Sequence, residues 1–180
     1  MTLTLRFFSF SFLLALVSFA RAATPGVGDA APGFALRTLE GKTVELAALT
    51  RESPVVLVVL RGYPGYQCPL CTRQVGEFAA RAKDFAAKGA RVVMVYPGPA
   101  KELERRAGEF LKDKSWPADF VFLLDPDYTF TNAYDLRWEA KNETAYPSTF
   151  VIGRDGKVEW SKVSKTHGGR STATEVLAKL

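Results

Sequence analysis

The run Val55-Val56-Leu57-Val58-Val59-Leu60 constrains the chain more than any other segment. Six consecutive β-branched or Leu side chains, without alternation, put apolar groups on both faces of an extended strand, so both faces must be covered. Such a strand belongs at the centre of a sheet, with helices flanking it. The following segment supplies one. Apolar residues at Cys71, Val75, Phe78, Ala79, Ala82, Phe85 and Ala86 recur at helical spacing, and Gly89 stands where that helix should stop. Residues 91–96, built on Val92, Val93, Met94 and Val95, predict a second buried strand. Leu103, Ala107, Phe110 and Leu111 predict a second amphipathic helix that ends before Pro117. After this β-α-β-α unit, residues 120–124 read as a strand and residues 129–134 as a short helical turn. Upstream, residues 34–36 and 43–46 flank Glu40-Gly41 as a hairpin on a sheet edge. The chain closes with strand 149–152, a turn at Arg154-Asp155-Gly156, strand 158–161 and a last helix. That helix opens with Thr172 and has Glu175 three residues on, the capping-box spacing. The pattern is an α/β fold with a central mixed sheet flanked by helices.

At the amino end, Arg6 precedes thirteen uncharged residues, 7–19, and Ala20-Arg21-Ala22 places small side chains at both positions of an A-x-A cleavage site. Residues 1–22 therefore read as a secretory signal peptide. Thirteen apolar residues fall short of the ~20 that a helix needs to cross a bilayer. Cleavage after Ala22 leaves residues 23–180 as a single domain, periplasmic or secreted, with no membrane span. Residues 23–33, with two Pro and three Gly, lead in as a loop. The whole chain carries +5, but cations and anions interleave at helical spacing, as in Glu77 with Arg81 and Asp84 with Lys88. That is a solvated face, and no nucleic-acid partner is expected. One His excludes a three-histidine metal centre, and two Cys exclude a scaffold of several disulfides.

One constellation carries chemistry. Tyr66-Gln67-Cys68-Pro69-Leu70-Cys71 lies between the strongest strand and the strongest helix. With Cys68 at the N-cap, Pro69 takes the first helical position, where its missing N–H is no loss, and Cys71 sits one turn inside. Free amides and the positive end of the helix dipole then favour a Cys68 thiolate. A second sulfur three residues on is placed to attack a mixed disulfide or a sulfenic acid formed on the first. The competing readings are a structural disulfide, which would close almost no loop and so add little stability, and half of a zinc site, which lacks a second Cys pair.

Residues 55–60 followed by Cys68-Pro69-Leu70-Cys71, then Tyr146-Pro147-Ser148-Thr149-Phe150-Val151-Ile152 and the Asp155-Gly156-Lys157 turn, resemble the thioredoxin-like superfamily. The closer resemblance is to its exported peroxiredoxin-like branch, the alkyl hydroperoxide reductase and thiol-specific antioxidant (AhpC/TSA, redoxin) group, over about residues 27–180. The resemblance implies a thioredoxin-like fold with an N-terminal hairpin and a central strand-helix insertion over residues 120–134. It also implies an antioxidant oxidoreductase with a redox-active Cys68/Cys71 pair and Pro147 as a cis-proline facing the sulfurs.

Two registers of the family assign the attacking sulfur differently. In the thioredoxin-like register Cys68 attacks and Cys71 resolves. In the peroxiredoxin register Pro64, Cys68 and Cys71 match a Pro-x-x-x-Thr/Ser-x-x-Cys loop, so Cys71 attacks hydrogen peroxide or an alkyl hydroperoxide. Cys68 then replaces the peroxide-binding hydroxyl, and Pro147 replaces the Arg that peroxiredoxins carry before the late strand, removing two groups that would cradle breaking O–O bonds. The thioredoxin register accommodates more residues. The implied partners are a protein or small-molecule disulfide, or a peroxide, and a thiol electron donor, with no organic cofactor. A reading from another class is a copper-delivery protein using Cys68, Cys71 and His167. Arg61 and Arg73 bracket the motif and read first as solvated charges, secondly as a source of positive potential at a thiolate. Tyr63, Tyr66 and Trp138 read as packing, or as walls of a substrate groove. His167, in Lys165-Thr166-His167-Gly168-Gly169-Arg170, reads as a surface residue, with nothing in the sequence placing it near the sulfurs.

Overall fold

The computed structural model describes residues 23–180, so the signal peptide expected over residues 1–22 lies outside the described residues. The elements follow in the order β1 (Ala35–Arg37), β2 (Thr43–Glu45), α1 (Leu46–Glu52), β3 (Val55–Val59), α2 (Pro69–Ala80), α3 (Ala82–Ala87), β4 (Arg91–Gly98), α4 (Ala100–Leu111), β5 (Val121–Pro126), α5 (Thr129–Ala133), β6 (Ser148–Ile152), β7 (Val158–Val163) and α6 (Ala173–Leu177). Seven strands form one sheet in the order β2-β1-β5-β4-β3-β6-β7. β3 runs parallel to β4 and antiparallel to β6, β4 runs parallel to β5, and the outer pairs are antiparallel.

All five residues of β3 are fully buried, because alternate side chains feed two separate cores. Val56 and Val58 join Val92, Met94, Val75, Phe78, Phe85 and Phe110 under α2, α3 and α4. Val55, Leu57 and Val59 join Val93, Val95, Phe130, Tyr134 and Phe150 on the opposite face, under α1 and α5. The hairpin pairs Leu36 with Val44. It leads directly into α1, which the sequence did not announce: Leu46 and Leu49 point to the core from a seven-residue helix too short to show a period. The single helix expected across Cys71 to Ala86 is two, broken at Arg81 (φ −107°, ψ 16°). The break lets Phe78 and Phe85 stack at a 5.4 Å centroid separation. Thr172 caps α6 as its spacing predicts, its hydroxyl accepting the Glu175 N–H at 3.1 Å. The insertion after α4 adds β5 to the parallel part of the sheet and is anchored by Asp125. Its buried carboxylate accepts the Phe130 and Thr131 N–H groups at 2.8 and 3.0 Å and the Thr131 hydroxyl at 2.5 Å.

One expectation drawn from the resemblance is corrected. No peptide bond among the described residues is cis, so Pro147 follows Tyr146 through a trans bond. Its carbonyl accepts the Ser164 N–H at 2.9 Å, extending the β6–β7 ladder by one rung. In that extended setting the ordinary trans preference of an X–Pro bond meets no opposition.

Candidate active site

The site is built where β3 ends, between its parallel neighbour β4 and its antiparallel neighbour β6. Leu60 donates its N–H to Val95 O at 2.9 Å and Tyr63 to Pro97 O at 3.2 Å, folding the chain across the end of β4. Gly62 makes the turn with φ +69°, and a Cβ there would stand 1.8 Å from Pro97 O. Only glycine satisfies both the dihedral and the close approach. The chain then enters α2 at Cys68 (φ −72°, ψ 113°), with Pro69 in the first turn and the Thr72 N–H bonded to Cys68 O at 3.1 Å. Cys68 is 3% exposed, Cys71 is fully buried, and both thiols are free.

The two thiols differ in their surroundings. The pKa of Cys68 is brought down to about 5, chiefly by a hydrogen bond from the Cys71 thiol. Burial opposes that shift, while the Cys71 backbone amide, the charge of Arg170 and a hydrogen bond from Arg61 add to it. Cys71 lies well above the ordinary thiol range, first because it is buried and then because it donates to Cys68. One sulfur therefore ionises and its neighbour keeps the proton.

Arg170 comes from the loop between β7 and α6. Its Nη2 lies 3.8 Å from the Cys68 Sγ, Nη1 donates to Gln74 Oε1 at 3.1 Å, and Nε donates to His167 O at 3.0 Å. Gln74, buried on α2, donates in turn to Ser171 O at 3.1 Å, so α2 and the loop hold each other through one amide. On the other side, Arg61 is 2% exposed rather than solvated. Its Nε binds Glu143 Oε2 at 2.5 Å, Nη1 donates to the Tyr66 hydroxyl at 2.6 Å and Nη2 to Asn142 O at 2.8 Å. Burial works against the Glu143 charge, but hydrogen bonds from Arg61 and His167 hold its carboxyl below the usual range. His167 Nε2 meets Glu143 Oε1 at 2.7 Å, with its ring 5.1 Å from that of Trp138.

Of the residues singled out from sequence, Cys68, Cys71, Arg61, Tyr66, Glu143-bound His167 and Trp138 thus fall into one neighbourhood. Arg73 stays exposed on α2, and Trp138 stacks on Tyr146 at 4.9 Å. Tyr63 packs beneath the Arg106 guanidinium at 4.4 Å. The trio Cys68, Cys71 and His167 is not gathered as ligands. The His167 Nε2 faces Glu143, and no group of three or more metal-ligating side chains occurs among the described residues. Arg170, Gln74 and Glu143 escaped the sequence reading. Their partners lie 102, 96 and 82 positions away, and no local spacing marks contacts of that range.

The AhpC/TSA family model matches residues 27–161. Peroxiredoxin Bcp of Bacillus subtilis is 27% identical over 157 residues, covering 82% of this chain and 93% of that protein. Among solved structures, peroxidoxin BcpB from Mycobacterium tuberculosis superposes with a TM-score of 0.68 at 25% identity, covering 86% of this chain and 96% of that one. A Chlorobium tepidum protein described as a thiol:disulfide interchange protein DsbE superposes at 0.63, also at 25% identity, over 86% and 98%. The fold is thioredoxin-like, and the chain is a thiol-based oxidoreductase belonging to the AhpC/TSA family.

Proposed function

We propose that the protein cycles Cys68 and Cys71 between dithiol and disulfide, with Cys68 as the attacking sulfur and Cys71 as the resolving one. The asymmetry of the two thiols carries this reading: the Cys68 Sγ lies 3.8 Å from the Arg170 guanidinium with its pKa brought down, while fully buried Cys71 has its pKa pushed up and keeps its proton. With a disulfide substrate, the Cys68 thiolate attacks one sulfur, the substrate S–S bond breaks, and the first thiolate leaves and takes up a proton. Cys71 then loses its proton, attacks the Cys68 sulfur of the mixed disulfide and expels the second thiolate. Two electrons pass to the substrate, and the protein is left as the Cys68–Cys71 disulfide. An external thiol donor returns it to the dithiol.

Family membership favours a second oxidant for the same pair, a peroxide. Attack of the Cys68 thiolate on one peroxide oxygen breaks the O–O bond and leaves a sulfenic acid on Cys68 and a hydroxide or alkoxide that is protonated. Attack by Cys71 then releases water and forms the same disulfide. The leader over residues 1–22 supports export, so the periplasm or the exterior is the proposed location. Among the described residues, no helix is long and apolar enough to cross a membrane.

Separate Cys68→Ser and Cys71→Ser variants test the assignment with hydrogen peroxide and with a small disulfide. The reading expects Cys68→Ser to abolish attack on both and Cys71→Ser to stop at a trapped mixed disulfide or sulfenic acid. A sulfenic acid that forms in Cys68→Ser would assign attack to Cys71 and refute it.

A further inference from the structure

On the α2 side of Arg170 lies a groove of about 140 Å³, lined among others by Leu70, Arg73, Gln74, Gly169, Arg170 and Thr172 but by neither cysteine. It lies between the first turns of α2 and the loop that carries Arg170, whose guanidinium is 3.8 Å from the Cys68 Sγ. Two of its walls are guanidinium groups, and among the described residues neither Arg73 nor Arg170 has a carboxylate within salt-bridge distance. Arg81, Arg91, Arg105 and Arg106 each pair with a carboxylate, whereas Arg37, Arg51, Arg137 and Arg154, like these two, do not among the described residues. Glu77, the carboxylate of the groove, accepts the Ala173 N–H at 2.7 Å and leaves a net positive charge of one across the lining. Leu70, between the two cysteines, adds an apolar patch.

We propose that this groove binds the carboxylate-bearing portion of an anionic disulfide, with Arg73 and Arg170 as its specificity-determining residues. The inference deepens the reading of Cys68 as the attacking sulfur and rests on it. Planar guanidinium groups pair with carboxylates in two-point geometry, and an ion pair beside the reacting sulfur orients the substrate. Arg170 Nη2 stands 3.8 Å from the Cys68 Sγ, in a residue that is only 3% exposed. The exchange itself is the one balanced above: the Cys68–substrate S–S bond forms, the substrate S–S bond breaks, and the departing thiolate takes a proton from solvent.

Rapid mixing of the reduced protein with three probe disulfides tests this: dianionic 5,5′-dithiobis(2-nitrobenzoate), uncharged 2-hydroxyethyl disulfide and cationic cystamine. For Arg73→Gln the ratio of the anionic to the neutral rate constant falls by about two- to fivefold, the size expected for losing one exposed ion pair. Arg73→Lys retains most of the ratio, and added salt lowers it in the wild-type protein. Arg170→Gln lowers the ratio as well. Circular dichroism of each variant controls for folding. A ratio that is unchanged in Arg73→Gln, or equal losses with all three probes, overturns the groove assignment. The underlying reading fails by a different sign: Cys68→Ser reacting with the neutral probe at the wild-type rate would show that another group attacks, whatever the charge ratios.

Discussion

Replacing Cys71 by Ala tests how the Cys68 thiolate is made. In the dithiol, the largest stabiliser of that thiolate is the hydrogen bond donated by the Cys71 thiol, ahead of the Cys71 amide and of Arg170 and Arg61. A hydrogen bond to a charged group contributes about 1.5–3 kcal/mol, and one pKa unit corresponds to about 1.4 kcal/mol. Losing it should therefore raise the Cys68 pKa from about 5 by roughly one to two units. The value stays below the ordinary thiol range, because the amide and the two arginines remain. Cys71→Ser keeps an O–H donor at the same place and should rise less. The assay is ultraviolet absorbance of the thiolate as a function of pH, with Cys68→Ala as the blank. A Cys71→Ala protein that titrates at the wild-type pKa would refute the claim that the resolving thiol ionises its partner.

Further outcomes follow from the same geometry. Glu143→Ala leaves Arg61 buried without its carboxylate and should lower unfolding free energy by about 3 kcal/mol or more in urea denaturation, although Tyr66 and Asn142 O still accept from it. Asp125→Ala strands two buried N–H groups at the start of α5 and should cost about 2–4 kcal/mol, with Asp125→Asn recovering part of the loss. The Cys68 pKa is lowered on folding, so its contribution to stability is complete above the unfolded thiol pKa and is lost as pH falls through about 5. The dithiol form should therefore lose about 1 kcal/mol of stability per pH unit between roughly pH 8 and 5. The disulfide form, with no thiol to titrate, should lack that slope in parallel urea titrations.

What the sequence disclosed and what it withheld divide along contact distance. Residues 55–60 announced a doubly covered central strand because burial on both faces needs an unbroken apolar run. Cys68-Pro69 announced a helix start because a proline at that position loses no hydrogen bond. Such signals are local. Arg61 looked solvated beside the motif, yet it is buried because Glu143, 82 residues on, neutralises it. Arg170 was seen in its loop but not at the sulfur, since that contact depends on how β7 and α6 return across α2 through Gln74. Pro147 was assigned by analogy, and the ladder bond to Ser164 gives it an ordinary pre-strand geometry instead. The helix break at Arg81 was hidden for another reason: apolar spacing continues across it, and only the stacking of Phe78 on Phe85 favours two segments.

The most direct measurement is to map which sulfur reacts first. The reduced protein is treated with less than one equivalent of iodoacetamide at about pH 6, where an ordinary thiol is almost wholly protonated, and the modified peptide is identified by mass spectrometry. The account predicts alkylation at Cys68 with Cys71 unmodified. Label on Cys71, or on neither faster than on a free cysteine, would contradict it.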